Sequence, residues 1–97
     1  MIKHIVLHKL KPGVSRDDPR IAHAMSRVRS LPERLPLIKS WEVGINFSDR
    51  PVAYDFSVIA ELESREDLAA YGPHPAHQEV AGLNRELYEW IICDYEI

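Results

Sequence analysis

Four of the five histidines in the sequence lie in two short segments, and histidine can act as a general acid or base near neutral pH. His4 and His8 belong to an alternating run, so both lie on one face of a predicted strand. His74 and His77 flank the predicted start of a helix whose first residue is Pro75. Because loops carry functional residues more often than helix centres do, the second segment is the stronger indication of a polar site.

Tyr71 comes just before the second pair of histidines and is predicted to form a catalytic pair with His77. A neutral histidine can accept a proton, and a tyrosine hydroxyl can donate a hydrogen bond to a developing oxyanion. The pair would act with a histidine of the first strand, such as His4, in a pocket between the helices and the sheet. A structural interpretation stays open, because a histidine on an apolar strand face is more often a core residue.

Neither a metal site nor a nucleophilic thiol is predicted, and no cofactor is expected. His74 and His77 have a spacing that metal ligands can use, but Pro75 intervenes and no third ligand is evident. Cys93 follows three large apolar residues, so we expect a buried and unreactive thiol. A single cysteine cannot form an intrachain disulfide, which favours a reducing cytoplasm.

The composition excludes several classes of function. The 97 residues carry a net charge of −3, with 45% hydrophobic and 28% charged residues, as in an ordinary globular domain. The arginines between residues 16 and 34 are interspersed with acidic residues and indicate a solvated helix face rather than a nucleic-acid surface. No apolar stretch approaches the roughly 20 residues of a membrane span, and no signal peptide is visible, so we expect a cytoplasmic protein.

The hydrophobic periodicity predicts the element order β-α-β-β-α-β, with a kink in the second helical part at residues 72–75. Ser15 is the predicted N-cap of the first helix, and Pro32 and Pro36 are predicted to close it. This order is typical of an α+β, ferredoxin-like domain with a four-stranded antiparallel sheet. The predicted strands cover residues 1–10, 39–47, 54–62 and 89–97, and the predicted helices cover residues 15–31, 64–71 and 75–88.

The predicted strands carry more apolar residues than one helix layer can cover. Strand two alternates through Trp41 and Val43, strand three through Phe56 and Val58, and strand one has apolar residues on both sides. A bare sheet face of this kind would exceed the largest apolar patch usual on a monomer, about 300–600 Å². We therefore expect a homodimer formed by sheet-to-sheet packing, although a monomer with a partly polar open sheet remains the alternative.

Several segments together resemble the stress-responsive A/B barrel (Dabb) domain family. The resemblance covers residues 1–97 in order, and its most specific part is the His-Pro-x-His box with the Lys-His opening of the first strand. It implies one domain that forms a dimeric α/β barrel. The segments that carry it are residues 1–11, Ser40-Trp41-Glu42-Val43-Gly44, Tyr54-Asp55-Phe56, the acidic run before Leu68-Ala69-Ala70-Tyr71, His74-Pro75-Ala76-His77 and Asp94-Tyr95.

One branch of this family, the plant polyketide cyclases typified by olivetolic acid cyclase, allows a comparison of site residues. Its catalytic tyrosine and histidine match Tyr71 and His77, and its strand-one pocket histidine matches His4. A further pocket histidine is replaced here by Phe56, and Gly72 with Pro73 replaces bulkier residues. The resemblance thus implies catalytic roles for Tyr71 and His77, and we predict that a ligand would contact His4, His8, Phe56 and His74.

Three functions remain open from the sequence. The first is a cofactor-free enzyme or binder that acts on a small aromatic or polyketide-like molecule, with His77 as base and Tyr71 as donor. The second is a non-enzymatic, stress-associated domain that acts as a dimer. The third is a cofactor-independent oxygenase of the related dimeric barrel superfamily, which would have the same fold.

Overall fold

The computed structural model describes all 97 residues, 1–97, and it has the predicted α+β architecture. The second helical part consists of two helices, because Gly72 and Pro73 separate the end of one from the start of the other. The strands are β1 Ile2–Leu10, β2 Ser40–Ile45, β3 Phe56–Leu62 and β4 Tyr88–Glu96, and the helices are α1 Pro19–Arg34, α2 Arg65–Tyr71 and α3 Pro75–Arg85.

The four strands form one antiparallel sheet in the order β2-β3-β1-β4. The first strand is therefore central, which places its histidines between two neighbours. His4 pairs with Ala60 on one side and Asp94 on the other, and His8 pairs with Phe56 and Trp90. This arrangement confirms the predicted ferredoxin-like fold.

Helices α1 and α3 cover one face of the sheet, and the core lies between them and the strands. Ala24, Val28 and Leu31 recur at steps of four and three, so they form one buried stripe of α1. They share a core with Val58 of β3 and Val80 of α3. Arg27 of α1 also donates two hydrogen bonds, of 2.7 and 2.9 Å, to Glu79 of α3, which links the two helices at the surface.

The first helix differs from its prediction at both ends. Its N-cap is Asp18, whose side chain accepts a hydrogen bond from the Arg20 amide at 2.9 Å, and Pro19 takes the first helical position. Ser15, the predicted cap, instead bonds the Asp17 amide in the preceding turn. Pro32 lies inside α1 and does not close it, because a proline removes only one hydrogen bond near the end of a helix whose Leu31 is fully packed.

Strands β2 and β3 are shorter than predicted because an Asn-initiated turn ends β2 early. The Asn46 side chain accepts a hydrogen bond from the Ser48 amide at 3.0 Å and donates one to the Ser48 carbonyl at 2.8 Å. An asparagine that bonds its own backbone in this way favours a turn over a continued strand. Phe47 consequently lies outside the sheet and is fully exposed.

The other face of the sheet is uncovered, and it presents an apolar patch bordered by polar side chains. The register places Trp41 and Val43 opposite Ala60 and Val58 on the helix face, so these residues do not contribute to the open face. Cys93 lies on the open face. The prediction that its thiol is buried was wrong, because β4 is an edge strand and nothing covers this face of it. The apolar side chains of the open face are Ile5, Leu7, Ile59, Ile91 and Tyr95.

None of the helices combines the length and apolar character needed to cross a bilayer.

Candidate functional site

A cavity of about 300 Å³ lies between the helices and the sheet, and it is lined by residues from every strand and every helix. Eleven of its 17 lining residues are hydrophobic, including the tryptophans Trp41 and Trp90. The lining contains no lysine or arginine, so the cavity offers no cation to an acidic ligand. Its polar residues are His4, His8, His77, Asn84 and Asp94, and Tyr71, one of the eleven, adds a hydroxyl group.

His77 enters the cavity from the first turn of α3, and its protonation is fixed by the kink before that helix. The Nδ1 atom lies 2.8 Å from the Gly72 carbonyl oxygen, and since a carbonyl can only accept, Nδ1 donates. The proton of a neutral ring is then on Nδ1, which leaves Nε2 as an acceptor. Burial lowers the pKa of His77, so the imidazole is neutral at pH 7 and can act as a base.

Tyr71 ends α2 and places its ring beside His77. The two ring centroids are 4.4 Å apart, and the Tyr71 ring also meets the edge of His4 at 5.4 Å. The residue is only 4% exposed. Burial raises the pKa of Tyr71, so the hydroxyl stays protonated and can donate to an oxyanion.

His4 is held by a carboxylate from the neighbouring strand. Its Nδ1 atom forms a hydrogen bond with Asp94, because the antiparallel register of β1 and β4 places the two residues opposite each other. An acidic partner on Nδ1 fixes the orientation of the ring. Tyr71, His77 and His4 therefore come together at one end of the cavity, as the sequence analysis expected of the pocket.

His8 lines the same cavity but in a different environment. Its ring stacks on Phe56 at 4.0 Å with an interplanar angle of 3°, and its Nδ1 atom has no hydrogen-bond partner. Burial lowers the pKa of His8 to about 4, so the ring is neutral at physiological pH. Phe56 lies behind His8 and does not itself line the cavity.

His74 is not brought to the cavity. Its Nδ1 atom accepts a hydrogen bond from the Ala76 amide at 3.1 Å, so the residue is the N-cap of α3. This role matches the structural explanation of the His-Pro-x-His box, in which proline begins the helix and a histidine caps it. No group of three His, Cys, Asp or Glu side chains is close enough to hold a metal ion.

Sequence reasoning missed three residues that bring polar groups to the cavity, Asp94, Asn84 and Trp41. The alternation of β4 could have indicated Asp94, since it shares a face with Trp90. Asn84 lies seven residues after His77, which places both on the same side of α3, and it is 4% exposed although its oxygen has no partner. The Trp41 indole nitrogen is likewise buried without a partner.

The fold and this cavity define a class: a ferredoxin-like domain with a mostly apolar pocket, without lysine or arginine in its lining, between its helices and its sheet. The family model described as Stress Responsive A/B Barrel Domain matches residues 2–97. The chain belongs to this family. An uncharacterised protein of Streptomyces coelicolor, SCO4036, is 43% identical over 96 residues, and the match covers 99% of both chains.

Solved structures with the same fold agree with this assignment. A dimeric, ferredoxin-like protein of unknown function from Bacteroides fragilis is 27% identical with a TM-score of 0.83, covering 99% of this chain and 95% of that one. A hydroxynitrile lyase from Passiflora edulis is 20% identical with a TM-score of 0.82, covering 99% of this chain and 92% of that one. The second similarity shows the fold alone.

Proposed function

We propose that the cavity binds a small, uncharged aromatic or polyketide-like ketone and that His77 and Tyr71 catalyse enolisation within it. The observation that carries the proposal is the hydrogen bond from His77 Nδ1 to Gly72, which leaves Nε2 as a base next to the Tyr71 ring. Nε2 would take a proton from the carbon next to the carbonyl. The electrons of that C–H bond would form the enolate, whose oxygen accepts a hydrogen bond from the Tyr71 hydroxyl.

A cyclisation follows chemically if the bound molecule carries a second carbonyl. The enolate carbon would attack that carbonyl carbon, the new C–C bond would form, and the resulting alkoxide would take the proton held on His77. This intramolecular aldol step is the one implied by the resemblance to plant polyketide cyclases. The replacement of a cyclase pocket histidine by Phe56 supports a different ligand from theirs, because Phe56 stacks on His8 outside the cavity lining and supplies no hydrogen bond there.

The size of the cavity supports a ligand with one ring. A cavity of about 150 Å³ holds benzene in another protein. The present cavity of about 300 Å³ therefore has room for a ring with a short chain. The absence of lysine and arginine from its walls favours a neutral ligand over a carboxylate or phosphate.

Deuterium exchange tests the base directly. With 4-phenylbutan-2-one as probe in D₂O, the protein should speed the exchange of the protons next to the carbonyl, as measured by NMR. His77→Gln should slow this exchange by about 10²–10⁴-fold, the usual contribution of a general base. His23→Gln, at an exposed position of α1, is the matched control and should exchange like the wild type.

Two results would contradict the catalytic proposal. One is a wild-type exchange rate equal to that of buffer at a ketone concentration that stabilises the protein in a thermal shift assay. That result would leave a binding protein without base catalysis. The other is full exchange activity in the His77→Gln variant, which would assign the proton transfer to another residue.

We also propose that two copies pair through their open sheet faces. The exposed Ile91 and Leu7, which pair with each other in the β1–β4 register, support this arrangement, since water would otherwise cover a continuous apolar surface. The dimeric state of the Bacteroides fragilis structure supports it as well.

In sedimentation, Ile91→Glu should give an 11.2 kDa monomer, while Ser26→Glu on α1 should sediment like the wild type. A dimeric Ile91→Glu variant would place the interface elsewhere.

A further inference from the structure

The cavity has two polar ends, and only one of them contains the proposed catalytic pair. Tyr71, just before α3, contacts His4 near the start of β1. Leu87, just after α3, accepts a hydrogen bond at its carbonyl from the Lys11 amide, just beyond the end of β1. Helix α3 therefore runs alongside β1 from His4 towards His8. His77 and Asn84 lie seven residues apart on this helix, a separation of about 10 Å along its axis.

The far end of the cavity presents polar groups that the protein leaves unpaired. Asn84 is 4% exposed, and its side-chain oxygen forms no hydrogen bond with any protein atom. His8, 6% exposed, has an unpaired Nδ1 atom. Buried polar groups without partners are rare in native proteins, and here two of the four such atoms belong to this end of one cavity.

The walls between the two ends are apolar. Val6, Val58 and Ile92 come from the sheet, and Val80 and Ala81 come from α3 between His77 and Asn84. The one ionised side chain of the lining, Asp94, is already bonded to His4. A ligand that matches this surface has an apolar middle and an uncharged oxygen group at each end.

We propose that Asn84 and His8 form a second polar subsite, which binds a hydroxyl or carbonyl group at the end of the ligand remote from its reactive ketone. This inference rests on the proposed function and specifies its substrate class: elongated, neutral ketones with a second oxygen at the end remote from the reactive carbonyl. The Asn84 amide can both donate and accept, so it suits a phenolic hydroxyl or a second carbonyl. Asn84 would determine specificity without taking part in proton transfer.

Two ketones that differ in one hydroxyl group test the subsite. The probes are 4-(4-hydroxyphenyl)butan-2-one and 4-phenylbutan-2-one, and the dissociation constant of each is measured by titration calorimetry. The wild type should bind the hydroxylated ketone about three- to tenfold more tightly, the range of one neutral hydrogen bond. Asn84→Leu, which keeps the size of the side chain, should bind both ketones with the affinity that the wild type has for 4-phenylbutan-2-one.

The thermal stability of the ligand-free protein shows whether the Asn84 side chain is available to a ligand or stabilises the native fold. If the amide has no partner in the free protein, Asn84→Leu should raise the midpoint of thermal unfolding, because it replaces an unpaired buried polar group by an apolar one. A lowered midpoint would overturn the subsite, since it would show that the amide is bonded within the native protein.

The remaining outcomes distinguish the two proposals. Equal wild-type affinity for both ketones, or a preference for the hydroxylated ketone that survives in Asn84→Leu, overturns the subsite and leaves the catalytic proposal intact. Failure of both ketones to bind the wild type overturns the proposed function and the subsite with it.

Discussion

His8 is a buried histidine whose removal should change how the stability of the protein depends on pH. Burial lowers its pKa from 6.5 to about 4 in the folded chain. Between these values the unfolded chain binds a proton that the folded chain does not, so the free energy of unfolding falls as the pH falls. Each pH unit contributes about 1.4 kcal/mol per histidine, which amounts to about 3 kcal/mol over the interval. This stability is fully present above pH 6.5 and is lost by pH 4.

His8→Leu removes this proton linkage and keeps an apolar side chain against Phe56. Urea unfolding at pH 7 and at pH 4.5 gives the free energy of unfolding at each pH. The wild type should lose about 2–3 kcal/mol more than His8→Leu between the two conditions. His77, whose pKa burial also lowers, stays in both proteins and cancels in the comparison. His23→Leu at an exposed site is the control for the substitution itself.

The comparison uses the difference between two pH values, so an absolute loss of packing in His8→Leu does not affect it. If the wild type and His8→Leu lose the same free energy on acidification, the reasoning is refuted. The folded His8 would then take up a proton as readily as the unfolded chain does. Such a result would mean that the cavity admits enough water to solvate an imidazolium.

Two further predictions concern the walls of the cavity and the end of the sheet. Leu31→Ala should lower the free energy of unfolding by about 2–5 kcal/mol in urea titrations, because Leu31 is fully buried, and should admit a bulkier ketone in thermal shift assays. No loss of stability would show that the site collapses around the smaller side chain. Asp55→Ala should cost about 1–3 kcal/mol by the same method, because the Leu10 amide loses its 2.7 Å bond to Asp55 Oδ2. Wild-type stability would mean that water replaces the carboxylate.

Local sequence patterns predicted most of the fold because they report local geometry. The alternation of β1 placed His4 and His8 on one face, and the Gly72-Pro73 break with Pro75 located the start of α3. Such patterns are less informative about where an element stops. Proline was expected to end α1 at residue 32, yet the packed Leu31 keeps the helix intact through it.

Residues distant in the chain meet through registers that no local pattern contains. Asp94 lies 90 positions after His4 in the chain, and it reaches His4 because β4 returns antiparallel to β1 with these two residues paired. The exposure of Cys93 follows from the position of β4 at the sheet edge. The folded chain is needed to show that Asn84 belongs to the site, because its unpaired side-chain oxygen lies in the same cavity as His77.

The order of the elements, the strand faces of β1 and the residue types of the proposed catalytic pair could all be derived from the order of residues along the chain. These properties depend on backbone periodicity and on turn chemistry, both of which act over a few residues. The tautomer of His77, the partner of His4 and the polar far end of the cavity required the folded chain. They depend on which atoms meet in three dimensions, and burial then sets the pKa values of the groups that meet there.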